Sequence, residues 1–276
     1  MKRISLFAFI LTLVCISVNT RAQDQNPDSL GIISGDSLTL EPTFQKNLDS
    51  LSNLWYVGES VDTIESVPDL DALIPEFSDS ILIDRLSKLP CVVQLSYNTI
   101  VRRYVEMYTN KRRDLVENML GLSTYYFPIF DEIFDYYDIP NELKYLSVIE
   151  SALNPYAYSR ARAVGLWQFM YGTGRLYGLT INSLVDERRD PIKSTYAAAQ
   201  FLSDLYKRYN DWTLALAAYN CGPGNVNKAI ARSGGKTNYW DIYFYLPRET
   251  RGYVPAFVAA SYVMNYYSEH NLKPKK

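Results

Sequence analysis

From about residue 90 onward, the apolar residues of this 276-residue chain recur at the spacing of helices rather than of strands. The clearest example is one broad face with seven members: Ala197, Ala198, Phe201, Leu202, Leu205, Tyr206 and Tyr209. Positions at i, i+1, i+4 and i+5 share one side of a helix and are buried together. Because alternations of Val, Ile and Thr of strand length are few, the pattern predicts a mainly α domain.

Local signals indicate where some of these helices begin and end. Asp211 is placed to cap a helix over 212–220, which Gly222-Pro223-Gly224 would end. Two further segments, near 97–109 and 112–137, also have helical spacing of their apolar residues. The fold class predicted from these signals is all-α.

The N-terminus has the composition of a secretory signal peptide over residues 1–22. Met1-Lys2-Arg3 is positively charged, residues 4–18 are apolar, and Thr20-Arg21-Ala22 offers a cleavage site. The apolar stretch is short for a membrane span, so export is the favoured interpretation. An uncleaved anchor and lipidation at Cys15 are the alternatives.

Charge divides the chain into an acidic and a mildly basic part. Residues 23–90 carry thirteen acidic and three basic groups, a net charge of −10, while residues 1–22 carry +3. Since the whole chain has −2, residues 91–276 carry +5. Residues 23–88 therefore indicate an acidic, largely flexible leader, and the basic remainder favours an anionic polymer as partner. Nucleic acid is a poor fit, because Lys111-Arg112-Arg113 is the one dense basic run.

Few residues suit metal or histidine chemistry. The chain has one histidine, His270, and no clustered Cys/His pattern, so no metal and no cofactor is expected. After export, Cys91 and Cys221 either form a disulfide or remain two buried thiols, and the thiols are favoured.

Glu150 is the candidate catalytic acid. Pro140 suits the first turn of a helix that is expected to run to about Leu153. In that helix Leu143, Leu146, Glu150 and Leu153 share one apolar face. Partial burial raises the pKa of a carboxyl group, and a rise from about 4.3 to about 6 corresponds to 2 kcal/mol or so. The structural alternative is a glutamate at the edge of the core that pairs with an arginine.

Residues with the chemistry of sugar binding follow Glu150. Ser159 lies just past the helix and could fold back towards Glu150, while Gly165 permits close approach of backbone and ligand. Gln168 offers a donor and an acceptor for an N-acetyl group. Flat faces for pyranose rings are available from Trp167, Tyr219 and Tyr253. Each residue also has a structural alternative, as a core side chain or a helix cap.

Several motifs occur in order between about residues 95 and 270. They are Ile139-Pro140-Asn141-Glu142-Leu143, Glu150-Ser151, Gly165-Leu166-Trp167-Gln168-Phe169-Met170, Asp186-Glu187-Arg188-Arg189-Asp190-Pro191, Ala218-Tyr219-Asn220-Cys221-Gly222 and Thr250-Arg251-Gly252-Tyr253-Val254. Together they resemble the lytic transglycosylase family of the soluble, goose-type lysozyme-like kind, most closely its murein transglycosylase D branch. The resemblance implies a lysozyme-like catalytic domain over residues 89–276, with extra N-terminal helices.

The resemblance also implies an activity and a set of site residues. Glu150 would be the sole catalytic acid and base, in cleavage of the β-1,4 bond between N-acetylmuramic acid and N-acetylglucosamine with 1,6-anhydro ring closure. The substrate-binding residues would be Ser151, Ser159, Gln168, Met170, Tyr219, Asn220 and Tyr253. The substrate would be peptidoglycan glycan strands, in the periplasm or cell envelope of a Gram-negative bacterium, with or without membrane association.

Two departures and two alternative functions accompany the resemblance. Cys221 stands where the family usually has a small residue such as alanine, and no LysM-type wall-binding repeats are seen. A hydrolytic muramidase, which adds water instead of closing the ring, is the first alternative. A non-catalytic peptidoglycan-binding scaffold is the second, and protein partners in the envelope stay open.

Overall fold

The computed structural model describes residues 74–275, which are mainly helical. The α-helices of this range are α1 (Asp79–Lys88), α2 (Thr99–Glu106), α3 (Arg113–Tyr136), α4 (Tyr145–Ser151), α5 (Tyr171–Leu176), α6 (Pro191–Tyr209), α7 (Trp212–Cys221), α8 (Pro223–Arg232), α9 (Tyr239–Ile242), α10 (Arg248–Arg251) and α11 (Tyr253–Tyr266). The extended pairings within the described residues are isolated bridges. The prediction of a mainly α fold is confirmed.

Helix α11 forms the centre of the core. Twelve of its fourteen residues are buried, and it packs against α2, α4 and α7. A helix that is apolar on every side is stable in water only when other elements surround it. This packing brings Tyr253, the first residue of α11, next to the end of α4.

The predicted cap of α7 is present, and the structure shows a similar cap on α6. Asp190 accepts hydrogen bonds from the first backbone N–H groups of α6, and Pro191 occupies its first position. Asp211 accepts from the backbone N–H of Leu214 and so caps α7, which Gly222 ends with a φ of 82°. Such local capping groups satisfy N–H donors that the helix itself leaves unpaired.

The helix that carries Glu150 is shorter than predicted. It begins as a 3₁₀ turn over Asn141–Lys144, continues as α4, and stops at Ser151 rather than near Leu153. Ala152 and Leu153 instead take left-handed φ values of 51° and 60°. Both side chains are fully buried, and their packing compensates for the cost of that backbone conformation.

Helix α1 lies inside the segment that the sequence predicts as leader, residues 23–88. Leu82 and Leu86, one helical turn apart, are buried in the core, and the Arg85 guanidinium donates to the Tyr262 hydroxyl at 2.9 Å. A helix of ten residues gives too short a periodic signal to stand out beside an acidic segment. The signal peptide predicted over 1–22, and most of the leader, fall outside the described residues.

None of the helices between residues 74 and 275 has the length and apolar composition that crossing a bilayer requires.

A compact loop follows α4 and is held by Arg188. The buried guanidinium donates to the carbonyl oxygens of Arg162 and Phe169 and pairs with Asp186. Gly165, with a φ of +85°, passes so close to the Arg188 carbonyl that a Cβ would overlap it. The close approach predicted at Gly165 is therefore made to the protein's own backbone.

Gly165→Ala should destabilise the fold by several kcal/mol, because it adds both strain at positive φ and overlap with the Arg188 carbonyl. Gly178→Ala is the matched control: Gly178 has the same φ of +85° with nothing within 4 Å of a Cβ. It should cost only about 1 kcal/mol. Urea denaturation of both variants measures the difference. Equal losses would show that the Arg188 carbonyl moves aside without cost.

Candidate active site

A cavity of about 1010 Å³ opens between α4, the loop after it, α6, α7 and the start of α11. Seven of the eight residues predicted for the site line it: Glu150, Ser159, Gln168, Met170, Tyr219, Asn220 and Tyr253. They come from segments that are far apart in sequence, so the fold brings them together. The exception is Ser151.

Glu150 is the next-to-last residue of α4, and its side chain is partly exposed in the cavity. The residues of its predicted helix face, Leu143, Leu146 and Leu153, are fully buried. Burial raises the pKa of the Glu150 carboxyl to about 7, against the opposing effect of a hydrogen bond from Tyr253. Among the described residues no cation pairs with Glu150, which removes the predicted structural alternative of an arginine pair.

Tyr253 holds the Glu150 carboxyl in place. Its hydroxyl donates to Glu150 Oε1 at 2.6 Å. Burial, and then the nearby Glu150, raises the pKa of Tyr253 well above its ordinary value. The phenol therefore stays protonated and remains a donor. With only 5% of its surface exposed, Tyr253 does not offer a face for a sugar ring.

Two aromatic residues of the predicted site have structural contacts. Trp167 is fully buried against Phe130 and Phe134, and its indole N–H donates to Thr195 Oγ1 at 2.9 Å. Its predicted stacking face is therefore wrong, and its alternative as a core side chain is correct. Tyr219 donates to the Trp167 carbonyl at 2.8 Å, which fixes its ring at the cavity wall.

The prediction that Ser151 binds substrate needs correction. Ser151 is fully buried, and its hydroxyl is hydrogen-bonded to the carbonyl oxygens of Ser147 and Leu166. The contact to Leu166 ties the end of α4 to the loop after it. Ser151 therefore shapes the site from behind without reaching the cavity.

Polar groups at the cavity surface keep part of their hydrogen-bonding capacity. The Gln168 amide nitrogen donates to the Gly165 carbonyl at 2.9 Å, so its carbonyl oxygen is the group left for a ligand. Asn220 Oδ1 accepts from Thr250 at 2.9 Å, which leaves its amide nitrogen as a donor. Ser159 Oγ accepts from the Ala163 backbone, and its hydrogen bonds do not include Glu150.

The sequence reasoning missed a second carboxylate of the cavity, Asp204. It lies on α6 and is exposed, and it accepts from the Tyr177 hydroxyl and from Lys207, each at 3.3 Å. Its position one turn after Phe201, which also lines the cavity, is the signal that could have found it.

The single histidine lies away from the cavity, whereas Cys221 lines it as a free thiol. His270 is buried beside the Tyr262 hydroxyl, and burial lowers its pKa to about 4. Cys91 and Cys221 are free thiols, and burial raises the pKa of each. Within residues 74–275, no group of three or more His, Cys, Asp or Glu residues is arranged to hold a metal ion.

Glu150→Gln should stabilise the fold by an amount that grows with pH. The native carboxyl has a pKa of about 7 against an ordinary glutamate value of 4.5, so the native state binds its proton more tightly. The parent's free energy of unfolding therefore falls as pH rises between these values, by up to about 3 kcal/mol. Urea denaturation of parent and variant across that window measures the change. A difference in the free energy of unfolding that does not change with pH would contradict a raised pKa of Glu150 in the native state.

Comparison with known proteins identifies the central part of the chain. Residues 128–242 match the family model described as "Transglycosylase SLT domain". The chain is 35% identical over 180 residues to "Membrane-bound lytic murein transglycosylase D" of Escherichia coli K12, a match covering 64% of this chain and 39% of that protein. It is 35% identical over 115 residues to "Putative soluble lytic murein transglycosylase" of Haemophilus influenzae, covering 40% and 19% of the two chains.

The solved structures include the 70 kDa soluble lytic transglycosylase of Escherichia coli, with 18% identity and a TM-score of 0.45 over 86% of this chain and 38% of that one. The chain thus spans about two fifths of the length of the first relatives it matches. The match of residues 128–242 to the transglycosylase SLT domain confirms the resemblance to lytic transglycosylases that the motifs predicted.

Proposed function

We propose that this chain is a peptidoglycan lytic transglycosylase that cleaves the β-1,4 bond between N-acetylmuramic acid and N-acetylglucosamine. The observation that carries the proposal is the Glu150 carboxyl, which faces a large cavity, is hydrogen-bonded to Tyr253 and has a pKa raised to about 7 by burial. A carboxyl group with such a pKa is present in both protonation states near neutral pH.

In the first step, protonated Glu150 donates its proton to the glycosidic oxygen that leaves. The substrate's own N-acetyl group stabilises the positive charge that develops at the sugar carbon. Because this stabilisation comes from the substrate, the enzyme needs no second carboxylate as nucleophile, unlike ordinary glycosidases.

In the second step, Glu150 acts as a base. The carboxylate takes the proton of the muramyl 6-hydroxyl, whose oxygen then closes the 1,6-anhydro ring. The Tyr253 hydrogen bond stabilises this charged form of Glu150 and lowers its pKa. Burial favours the acid and Tyr253 favours the base, so one residue serves both steps.

The polar groups of the cavity are suited to bind the sugars. Gln168 offers a carbonyl oxygen to an N-acetyl N–H, while Asn220 offers an amide N–H to a hydroxyl. Ser159 supplies a hydroxyl, and Met170, 46% exposed, supplies apolar surface. Residues 89–276, together with α1 that packs on them, would form the catalytic domain, exported by the signal peptide 1–22 into the envelope of a Gram-negative cell.

One observation favours a second candidate function, hydrolysis by a muramidase. Asp204 lines the same cavity as Glu150, and a second carboxylate could activate a water molecule. Mass spectrometry of digested sacculi decides between the two reactions. Muropeptides with reducing ends and no anhydro products would support the muramidase and overturn the transglycosylase.

Glu150→Gln should abolish lysis of purified peptidoglycan. Asp204 is the other carboxylate among the described lining residues, and it is exposed to solvent. Asp204→Asn is the matched control and should keep its rate within about threefold of the parent, as expected for a group outside the chemistry. Turbidity of sacculi and anhydro-muropeptide yield measure both. Residual Glu150→Gln activity within about tenfold of the parent would assign the proton to another group, and intact biological effect would favour the scaffold alternative.

Tyr253→Phe should move the high-pH limb of the rate profile to higher pH. Loss of the hydrogen bond raises the pKa of Glu150, so the acid form persists further, while poorer positioning lowers the maximal rate by about tenfold. Tyr219→Phe loses a hydroxyl that bonds the Trp167 carbonyl instead of Glu150, and its limb should stay in place. An equal displacement of the high-pH limb in the Tyr253→Phe and Tyr219→Phe variants would contradict the role given to Tyr253.

A further inference from the structure

A second, smaller pocket of about 330 Å³ lies between α8 and the segment before α11. From α8 it is lined by Asn225, Lys228 and Arg232, which follow one another at three and four residues and so share a helix face. The opposite wall contains Phe244–Arg248 and Arg251.

The pocket is strongly cationic. Four of its lining residues are Lys228, Arg232, Arg248 and Arg251, and none of the described residues that line it is acidic. Like charges gathered in one concavity raise its potential, which an anion would relieve. Guanidinium groups match a carboxylate in both charge and geometry, because their N–H donors lie in one plane.

The walls hold part of this charge in fixed positions. Arg251 donates to the carbonyl oxygens of Leu246 and Phe244, at 3.1 and 2.8 Å, and its guanidinium lies 5.9 Å from the Phe244 ring centre. Arg232 lies 5.8 Å from the ring centre of Tyr245. Phe244 and Tyr245 are 57% and 40% exposed, so apolar ring surface lies beside the cations.

The pocket adjoins the active-site cavity along the chain. Arg251 is two residues before Tyr253, so their Cα atoms lie within about 7.6 Å of each other. At the other end, the Asn225 amide donates to the carbonyl of Cys221, which lines the cavity, at 2.7 Å. Residues that line the pocket are thus direct neighbours of residues that line the cavity.

We propose that this pocket binds the free carboxylates of the peptide stems attached to the glycan strand in the active-site cavity. The proposal rests on the proposed function, which makes peptidoglycan the substrate. An extended peptide spans about 3.3–3.6 Å per residue, so a stem of three residues covers roughly 10 Å from the muramyl unit toward the pocket. The exposed rings contact the apolar side chains of the stem while the cations bind its carboxylates.

The first test compares two substrates, stem-bearing glycan strands and the same strands stripped of peptide by an amidase. In the full chain, the double variant Lys228→Gln/Arg232→Gln should raise the KM ratio of stem-bearing to stripped strands by about 3- to 10-fold, as the loss of two exposed ion pairs predicts. The control variant Lys111→Gln/Lys273→Gln removes the same charge from exposed positions outside both pockets. It should leave the ratio unchanged.

An unchanged ratio in the pocket variant, or an equal change in the control, would overturn the stem site. Inactivity of the parent on both substrates would instead overturn the proposed function. A binding measurement keeps the two failures apart, because it needs no turnover. The full chain carrying Glu150→Gln is titrated with a synthetic stem peptide with free carboxylates, and with the same peptide amidated.

The expected result is tighter binding of the free peptide, weakened about 3- to 10-fold by Lys228→Gln/Arg232→Gln and by added salt. Equal binding of both peptides would overturn the proposal. Vesicles of phosphatidylglycerol provide the last comparison. Binding to them that depends on Lys228 and Arg232, without any preference between the peptides, would assign the pocket to a membrane surface and also overturn the stem site.

Discussion

The hydrogen bond from Tyr253 to Glu150 joins the two helices on which the candidate site depends. It links the first residue of α11 to the next-to-last residue of α4, across 103 positions of sequence, at 2.6 Å. Its length is maintained by the packing of α11, which has twelve of its fourteen residues buried, against α4. Any change that loosens this packing alters the position of the Glu150 carboxyl and its pKa together.

Two opposing effects determine the protonation of Glu150. Burial among apolar side chains disfavours the carboxylate and is the larger effect, while the Tyr253 hydrogen bond favours it. The resulting pKa of about 7 means that ionising Glu150 costs about 3 kcal/mol more than ionising an ordinary glutamate. The core supplies this free energy through the packing that keeps α4 in place. At neutral pH the protein is therefore less stable than a variant with a neutral side chain at position 150 would be.

The sequence predicted what depends on near neighbours. The cap of α7 and the apolar face around Glu150 follow from residues within one or two helical turns, and they are present as expected. Contacts between distant segments were beyond such reasoning. The stacking face predicted for Trp167 is wrong because the side chain bonds Thr195, which lies 28 residues away and is not a near neighbour in sequence. Asp204 is absent from the predicted site because α6 reaches the cavity only in the folded chain. The hydrogen bond between Tyr253 and Glu150 joins residues 103 positions apart, so the residue types alone do not predict it.

The central claim is that one carboxyl group is held near its half-protonated state at neutral pH. Direct titration of Glu150 tests it, by carbon NMR or infrared difference spectra between the full chain and its Glu150→Gln variant. The account predicts a carboxyl signal that titrates near pH 7 in the parent and is missing from the variant. A signal that titrates near the ordinary glutamate value of about 4.3 would contradict it.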